Sequence, residues 1–270
     1  MSTRRELTRF PDDPAVPVAG VDVEFVDGDG TARRDRLSRC WDVSFERAAP
    51  VREFPSFRGQ RNWPGLWWFA RTGEHVGFES WVERDRVMAF DADPEIVGIA
   101  AQPMWLHWTD ASSGRPVRHA PDYFVRRADG TGLIIDVRPD DRIRDRDAAV
   151  FAATGRFCAQ VGWDYLRVGE LGPVWAANLH WLAGYRHPRN AQPHLVARLR
   201  EVFTAPTPLL VGAARAGDQT ATLPVLFGML WRRELTTELV TARLGPATIV
   251  RRSESARQGS DDGPALGSTG

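Results

Sequence analysis

The chain reads as an α/β protein, a mixed sheet of short strands flanked by helices and followed by a mainly helical segment. Three observations predict this. Apolar runs of strand length recur at Ile96–Ala101, Trp105–Trp108, Tyr123–Arg126 and Leu133–Arg138, separated by turn residues. A helical pattern stands on either side of that block, at Phe78–Phe90 and Asp145–Gly162. Beyond residue 172 the strand pattern gives way to helical candidates.

Taken in order, residues 1–20 are rich in proline and charge. Val21–Phe25 alternates apolar with acidic residues and runs into Asp27-Gly28-Asp29-Gly30, a short strand and a turn. Residues 1–50 therefore read as an N-terminal extension with short strands. Residues 50–66 mix arginine, proline, glycine and aromatics and predict irregular structure, with a strand at Leu66–Ala70. On the Phe78–Phe90 helix Trp81, Val82, Val87, Met88 and Phe90 fall largely on one side, and Asp91 to Pro94 ends it. Ala111–Gly114 is a turn, and Ala128-Asp129-Gly130 joins the Tyr123 and Leu133 strands, which predicts a β-meander in one central sheet. The Asp145–Gly162 helix closes at its glycine, and Tyr165–Val168 is a further strand. Residues 51–172 thus form the main domain. Trp175–Tyr185, Pro193–Phe203, Leu223–Trp231 and Thr236–Val240 are helical candidates, with a strand at Ala247–Arg251, so residues 173–251 read as a helical domain of winged-helix-like order. Residues 252–270 have the composition of a disordered tail.

The 270 residues suit one sizeable or two modest domains, and a 43% hydrophobic fraction is enough for a packed core. Lysine plus arginine balance aspartate plus glutamate at 35 each, so any nucleic-acid site would have to be a local basic patch. All the basic residues are arginine, and any role that lysine would fill falls to arginine here. Cys40 and Cys158 are the only cysteines, too few for a disulfide framework or a four-thiolate zinc site. No signal peptide is visible and no apolar run approaches the roughly 18 residues of a membrane span. The expectation is a cytoplasmic protein with no membrane partner.

The chemistry centres on Gly132–Pro139. Alternate side chains share a strand face, so Asp136 and Arg138 point one way and Val137 points the other. Pro121 lacks an N–H and suits a strand's start, which makes Asp122 the opening residue of the neighbouring strand. Glu83 lies on the preceding helix, with Glu79 one turn earlier on the same face. Three carboxylates in one pocket repel each other unless a cation joins them, and Mg²⁺, with Mn²⁺ as an alternative, takes such oxygen ligands. Taken singly, each residue has a plainer reading: Asp136 and Arg138 as a salt bridge, Asp122 as a turn cap, and Glu79 and Glu83 as a solvated helix face.

In sequence order, FESWVERD at Phe78–Asp85, DPEIVG at Asp93–Gly98, Gln102-Pro103, HAPDY at His119–Tyr123 and IDVRP at Ile135–Pro139 resemble the TnsA-like endonuclease subunits of heteromeric transposases. The resemblance covers about residues 55–170. It implies a restriction-endonuclease-like fold of the PD-(D/E)XK type. It further implies Glu83, Asp122 and Asp136 as catalytic metal ligands, with Glu83 preferred to Glu79 for its spacing to the Gln102 block. The last catalytic position, usually lysine in that family, is Arg138 here. Arginine stays protonated, so it can stabilise charge but cannot act as a base. The resemblance implies a DNA endonuclease that cuts the 5′ ends of a mobile element beside a DDE-type transposase and an AAA+ ATPase regulator, with double-stranded DNA as substrate. Two other readings stand beside it: a catalytically degenerate subunit for DNA-end binding and assembly, and a standalone defence or repair nuclease.

Arg58, Arg61 and Asn62 precede the catalytic helix and are candidate phosphate contacts. His119 is a candidate phosphate contact or a simple loop histidine. Gln102 reads as a satisfied amide at a sheet end, or as a bridge to a metal-bound water.

Overall fold

A computed structural model describes residues 20–52 and 63–253. Arg58, Arg61, Asn62 and the 254–270 tail lie outside them. The chain forms two compact units, Met1–Asp91 with Glu95–Glu170, and Ala92–Pro94 with Leu171–Gly270.

The first unit contains β1 (Asp22–Val26), β2 (Ala32–Arg36), β3 (Gly65–Phe69), β4 (Glu74–Phe78), α1 (Trp81–Asp91), β5 (Ile96–Ala101), β6 (Trp105–Thr109), β7 (Pro116–His119), β8 (Tyr123–Arg127), β9 (Gly132–Val137), α2 (Asp145–Gln160) and β10 (Asp164–Val168). The expected single meander is not formed. One sheet runs β2-β1-β6-β7, a second runs β10-β9-β8-β5, and β3-β4 is a separate hairpin. Its pairs are antiparallel except β9 with β10. After β5 the chain leaves the second sheet for β6 and β7, then returns at β8. Segment 20–50, expected as an extension, supplies β1 and β2 to the first sheet. Strand propensity alone carries no information on which neighbour a strand will choose.

The second sheet is central because both of its faces are covered. Every residue of β9 is buried, as its apolar run requires. Phe124, Ile134 and Tyr165 face a core shared with the first sheet and α2, through Val23, Leu106, Phe151 and Phe157. Tyr123, Ile135, Val137 and Leu166 face the opposite core, built with Phe69, Val76 and the α1 residues Val87 and Phe90. The period-2 alternation of β8 and β9 is thereby satisfied on both sides.

The first helix was expected from Phe78. Instead Phe78 ends β4, where it pairs with Gly65, and α1 starts at Trp81. Ser80 sets this boundary: Glu83 N–H donates to its Oγ at 3.2 Å, while the hydroxyl donates to Glu83 Oε1 at 2.9 Å. At the other end Asp91 accepts from Trp67 Nε1 and Ala70 N, both at 2.9 Å, and ties β3 to the helix. The α2 terminus agrees with expectation, since Gly162 at φ 73° reverses the chain into β10.

The second unit contains α3 (Pro173–Ala183), α4 (Pro193–Val202), β11 (Thr207–Pro208), α5 (Leu209–Ala216), α6 (Gln219–Trp231), β12 (Leu235–Thr236) and β13 (Ile249–Arg252), with a β11-β13-β12 sheet. The helix expected at Thr236–Val240 is a correction: Leu235 and Thr236 pair with Arg252 and Arg251 instead. The segment after them is held by the buried Asn178, whose Nδ2 donates to the carbonyls of Leu239 and Ala242 at 2.8 Å and whose Oδ1 accepts from Leu244 N at 2.9 Å. A short helix, α5, was not anticipated. It carries Gly212 directly under the Phe203 ring, where an added Cβ would come within 2.1 Å of Cζ. Gly212→Ala is expected to destabilise this unit by about 1–3 kcal/mol, read as a lower denaturant midpoint. An unchanged midpoint would mean that the ring can move aside.

Candidate active site

The central hairpin brings Asp122 and Asp136 to one end of the sheet. Tyr123 pairs with Ile135, so Asp122 sits one step beyond the ladder, beside Asp136. Its Oδ2 accepts from Val137 N at 2.7 Å, which fixes the carboxylate against the end of β9. Gln102 N donates to the Asp122 carbonyl at 2.8 Å and continues the β5–β8 ladder.

Asp136 follows Ile134 in parity and points toward the α2 side. It is 1% exposed. Its carboxylate is 3.0 Å from His119 Nε2 through either oxygen, and Oδ2 also accepts from Tyr165 Oη at 2.7 Å. His119 is therefore not a loop residue. It ends β7 in the first sheet and reaches across to the central one. Tyr165, which the sequence reading did not single out, is its counterpart from β10. Burial, and then the neighbouring Asp136 charge, raise the Tyr165 pKa, so the phenol remains a proton donor.

Glu83 approaches from the opposite face of the central sheet, on α1. Its Oε2 accepts from Glu79 N at 2.8 Å, and with Ser80 this forms a helix cap. Glu79 lies outside the helix, and Arg52 holds its carboxylate by two bonds of 2.9 Å. The expected shared helix face of Glu79 and Glu83 is thus a correction. Arg138 is the first residue past β9. Its N–H continues the ladder to the Val168 carbonyl at 2.8 Å, and the residue is exposed.

Asp122 lies electrostatically between these groups. Burial raises its pKa well above the ordinary value, the Asp136 and Glu83 charges raise it further, and Val137 N–H and Arg138 oppose the shift. Glu83 is raised as well, by burial first and with a contribution from Glu79. The cluster thus gathers several buried carboxylates, with Arg138 acting on Asp122 and Arg52 on Glu79 and Glu83.

A carboxylate whose folded pKa is raised binds its proton more tightly in the folded state. The associated stability is present below the unfolded pKa of about 4 and is lost as pH rises through the folded pKa. Asp122→Asn removes that loss, and the amide oxygen can keep the bond from Val137 N. The variant is expected to melt ~2–4 °C above the parent at pH 8, with the gap closing toward pH ~4. A pH-independent gap would argue against the charge cluster.

These donors suit a hard divalent cation in kind, as carboxylate oxygens in excess, but Asp136 Oδ2 already has both His119 Nε2 and Tyr165 Oη as partners. They are not already gathered. Among the described residues no group of three or more histidine, cysteine, aspartate or glutamate side chains is set to hold a metal ion. Glu83 and Asp136 come from opposite faces of the sheet, and Asp122 feels the charge of both. One further oxygen has no partner. Gln102, 1% exposed, buries Oε1 without a hydrogen bond, contrary to the satisfied amide expected.

No family model and no curated protein matches the chain. Among the described residues no helix is long and apolar enough to cross a membrane.

Proposed function

We propose that the protein is a metal-dependent DNA endonuclease with a restriction-endonuclease-like core, acting in the cytoplasm as the TnsA-like subunit of a heteromeric transposase. The observation that carries this reading is the pairing of Asp122 and Asp136 at the end of a buried hairpin, with Glu83 near enough to raise the Asp122 pKa. Buried carboxylates that repel one another are costly, and a site that keeps them together is a candidate for function. Asp122 would be the principal ligand of Mg²⁺ or Mn²⁺, with Glu83 and Asp136 completing the set. When bound, that ion supplies charge neutralisation and a lowered pKa for an attacking water. Arg138, exposed at the rim, attracts the scissile phosphate and stabilises the charge that develops on it; it transfers no proton. His119 and Tyr165 hold Asp136 in position. After α3, the second unit runs α4-β11-α5-α6-β12-β13, with the last strand central in its sheet, an order that agrees with a winged helix that contacts DNA or a partner.

Nicking of supercoiled plasmid in Mg²⁺, with the partner transposase and ATPase present, tests the reading; equal inertness of the parent and Asp122→Ala would end it. One observation favours a second reading, a degenerate subunit that binds DNA ends and assembles the transposase. Asp136 already accepts from both His119 and Tyr165. DNA-end binding by the purified chain without any metal-dependent nicking would select this alternative.

A further inference from the structure

The second unit is the basic part of a chain whose total charge is zero: residues 171–253 carry ten arginines and four acidic residues. Half of those arginines meet at one corner. Arg200, on the last turn of α4, donates through Nη2 to Glu234 Oε2 at 2.7 Å, and Arg232, just past α6, donates through Nε to Glu234 Oε1 at 2.7 Å. Arg233 comes next in the chain, before Glu234 itself. β13 sets Arg251 and Arg252 opposite Thr236 and Leu235 of β12, and Ser253 N donates to the Glu234 carbonyl at 3.1 Å. Five arginines thus gather round Glu234. Arg251 is exposed, and Arg232 Nη1 and Nη2 are buried without a hydrogen-bond partner, so the corner is short of acceptors. Where a winged helix places its recognition helix, the opposite holds. α6 contains no charged residue and is buried from Val225 to Trp231. Leu223 and Phe227 line an apolar cleft of about 330 Å³ with Trp181 of α3. The exposed first turn is capped by Asp218, whose carboxylate accepts from Ala221 N at 3.1 Å and puts a negative charge where a phosphate would approach.

We propose that this arginine corner, formed by the ends of α4 and α6 and the β12–β13 pair, holds duplex DNA by its backbone phosphates without reading its sequence. The proposal rests on the DNA reading above and gives the second unit its mode of contact. Guanidinium groups match phosphate oxygens with paired hydrogen bonds and stay charged at any working pH. Phosphate contacts position a duplex but carry no sequence information, and discrimination needs side chains at base edges. A helix with an apolar outer side and an acidic cap does not supply them in a major groove. Recognition of particular DNA ends therefore falls outside this unit.

The test is fluorescence anisotropy of the full chain with two labelled duplexes of equal length and unrelated sequence, in EDTA. Both should bind within about threefold of each other, with log affinity falling against log salt at a slope of about −3 to −4. Arg233→Ala with Arg251→Ala should weaken both duplexes alike, by about tenfold, and flatten the slope by about 2. A charge-matched pair away from the corner, Arg215→Ala with Arg243→Ala, should lose much less. Equal losses in the two pairs would overturn the assignment to the corner. A preference of about tenfold or more for one duplex would overturn sequence-independent holding, and no anisotropy change with either duplex at low salt would overturn the whole proposal. Inorganic phosphate at matched ionic strength should not displace the duplex; displacement would make the corner a site for the free anion instead. Should the corner pair fail to fold, Arg251→Gln decides alone: about threefold weaker binding of both duplexes supports the role, and unchanged binding refutes it. EDTA removes any metal from the result, so failure here leaves the nuclease reading to the nicking assay, and inert nicking leaves this result standing.

Discussion

Asp122→Ala is expected to lower metal-dependent nicking by at least ~10²-fold, the scale on which a single transition-state-stabilising group acts, while leaving the chain folded. The two halves of this result come from the same residue. Its carboxylate feels the charges of both Asp136 and Glu83, and in the proposed function it is the principal ligand of the cation. Truncation also removes the acceptor for Val137 N, a loss of about 1 kcal/mol. Relief of repulsion offsets that loss, so the melting temperature should move by only a few degrees. Circular dichroism and a plasmid-nicking time course, run on one preparation, separate the effects. Undiminished nicking would place the chemistry elsewhere, and a collapse of the fold would make Asp122 a structural residue.

Asp136→Ala should behave in the opposite way, with its largest effect on stability. The carboxylate is the acceptor for Tyr165 Oη at 2.7 Å and the partner of His119 Nε2 at 3.0 Å, in a place closed to solvent. Removing it leaves a buried phenol and an imidazole without that partner. The expected cost is about 2–4 kcal/mol, or a fall of ~5–15 °C in melting temperature. Asp136→Asn should recover part of the loss, because the amide oxygen can still accept from Tyr165. A double-mutant cycle with Tyr165→Phe checks the attribution: a coupling near zero would mean that Asp136 and Tyr165 do not depend on each other.

The pattern of local elements could be read from the sequence, but their pairing could not. Strands at Tyr123 and Leu133 and the helix closed by Gly162 follow from alternation and turn chemistry, which are local properties. The departure of β6 and β7 to another sheet depends on partners in β1, far away in sequence, and no window contains both. Phe78 was drawn into a helix because an aromatic residue before Trp81 suits a helical face equally well; the Ser80–Glu83 cap is what places the boundary. The site divided in the same way. Asp122 and Asp136 are neighbours by register, which the hairpin made predictable. The engagement of Asp136 by His119 and Tyr165, and the capture of Glu79 by Arg52, require tertiary contacts between distant segments. Gln102 carried a visible signal, an amide directly before proline at the end of an apolar strand, but its unsatisfied oxygen exists only in the folded chain.

The route of the chain between its two sheets also bears on folding kinetics. His119 is borne by β7, which is held by β6, which in turn pairs with β1 through Val23 and Leu106. The earliest described strand thus waits for much of the unit before it finds its place, and the cost of closing that loop falls early while the reward comes late. The hairpin that carries Asp122 and Asp136 is local and can close first. Assembly of the acidic pair should therefore precede arrival of the histidine that holds it, so the half-built unit is expected to pass through a stage in which Asp136 lacks its His119 partner. For this fold, the slow step is expected to coincide with the completion of the site.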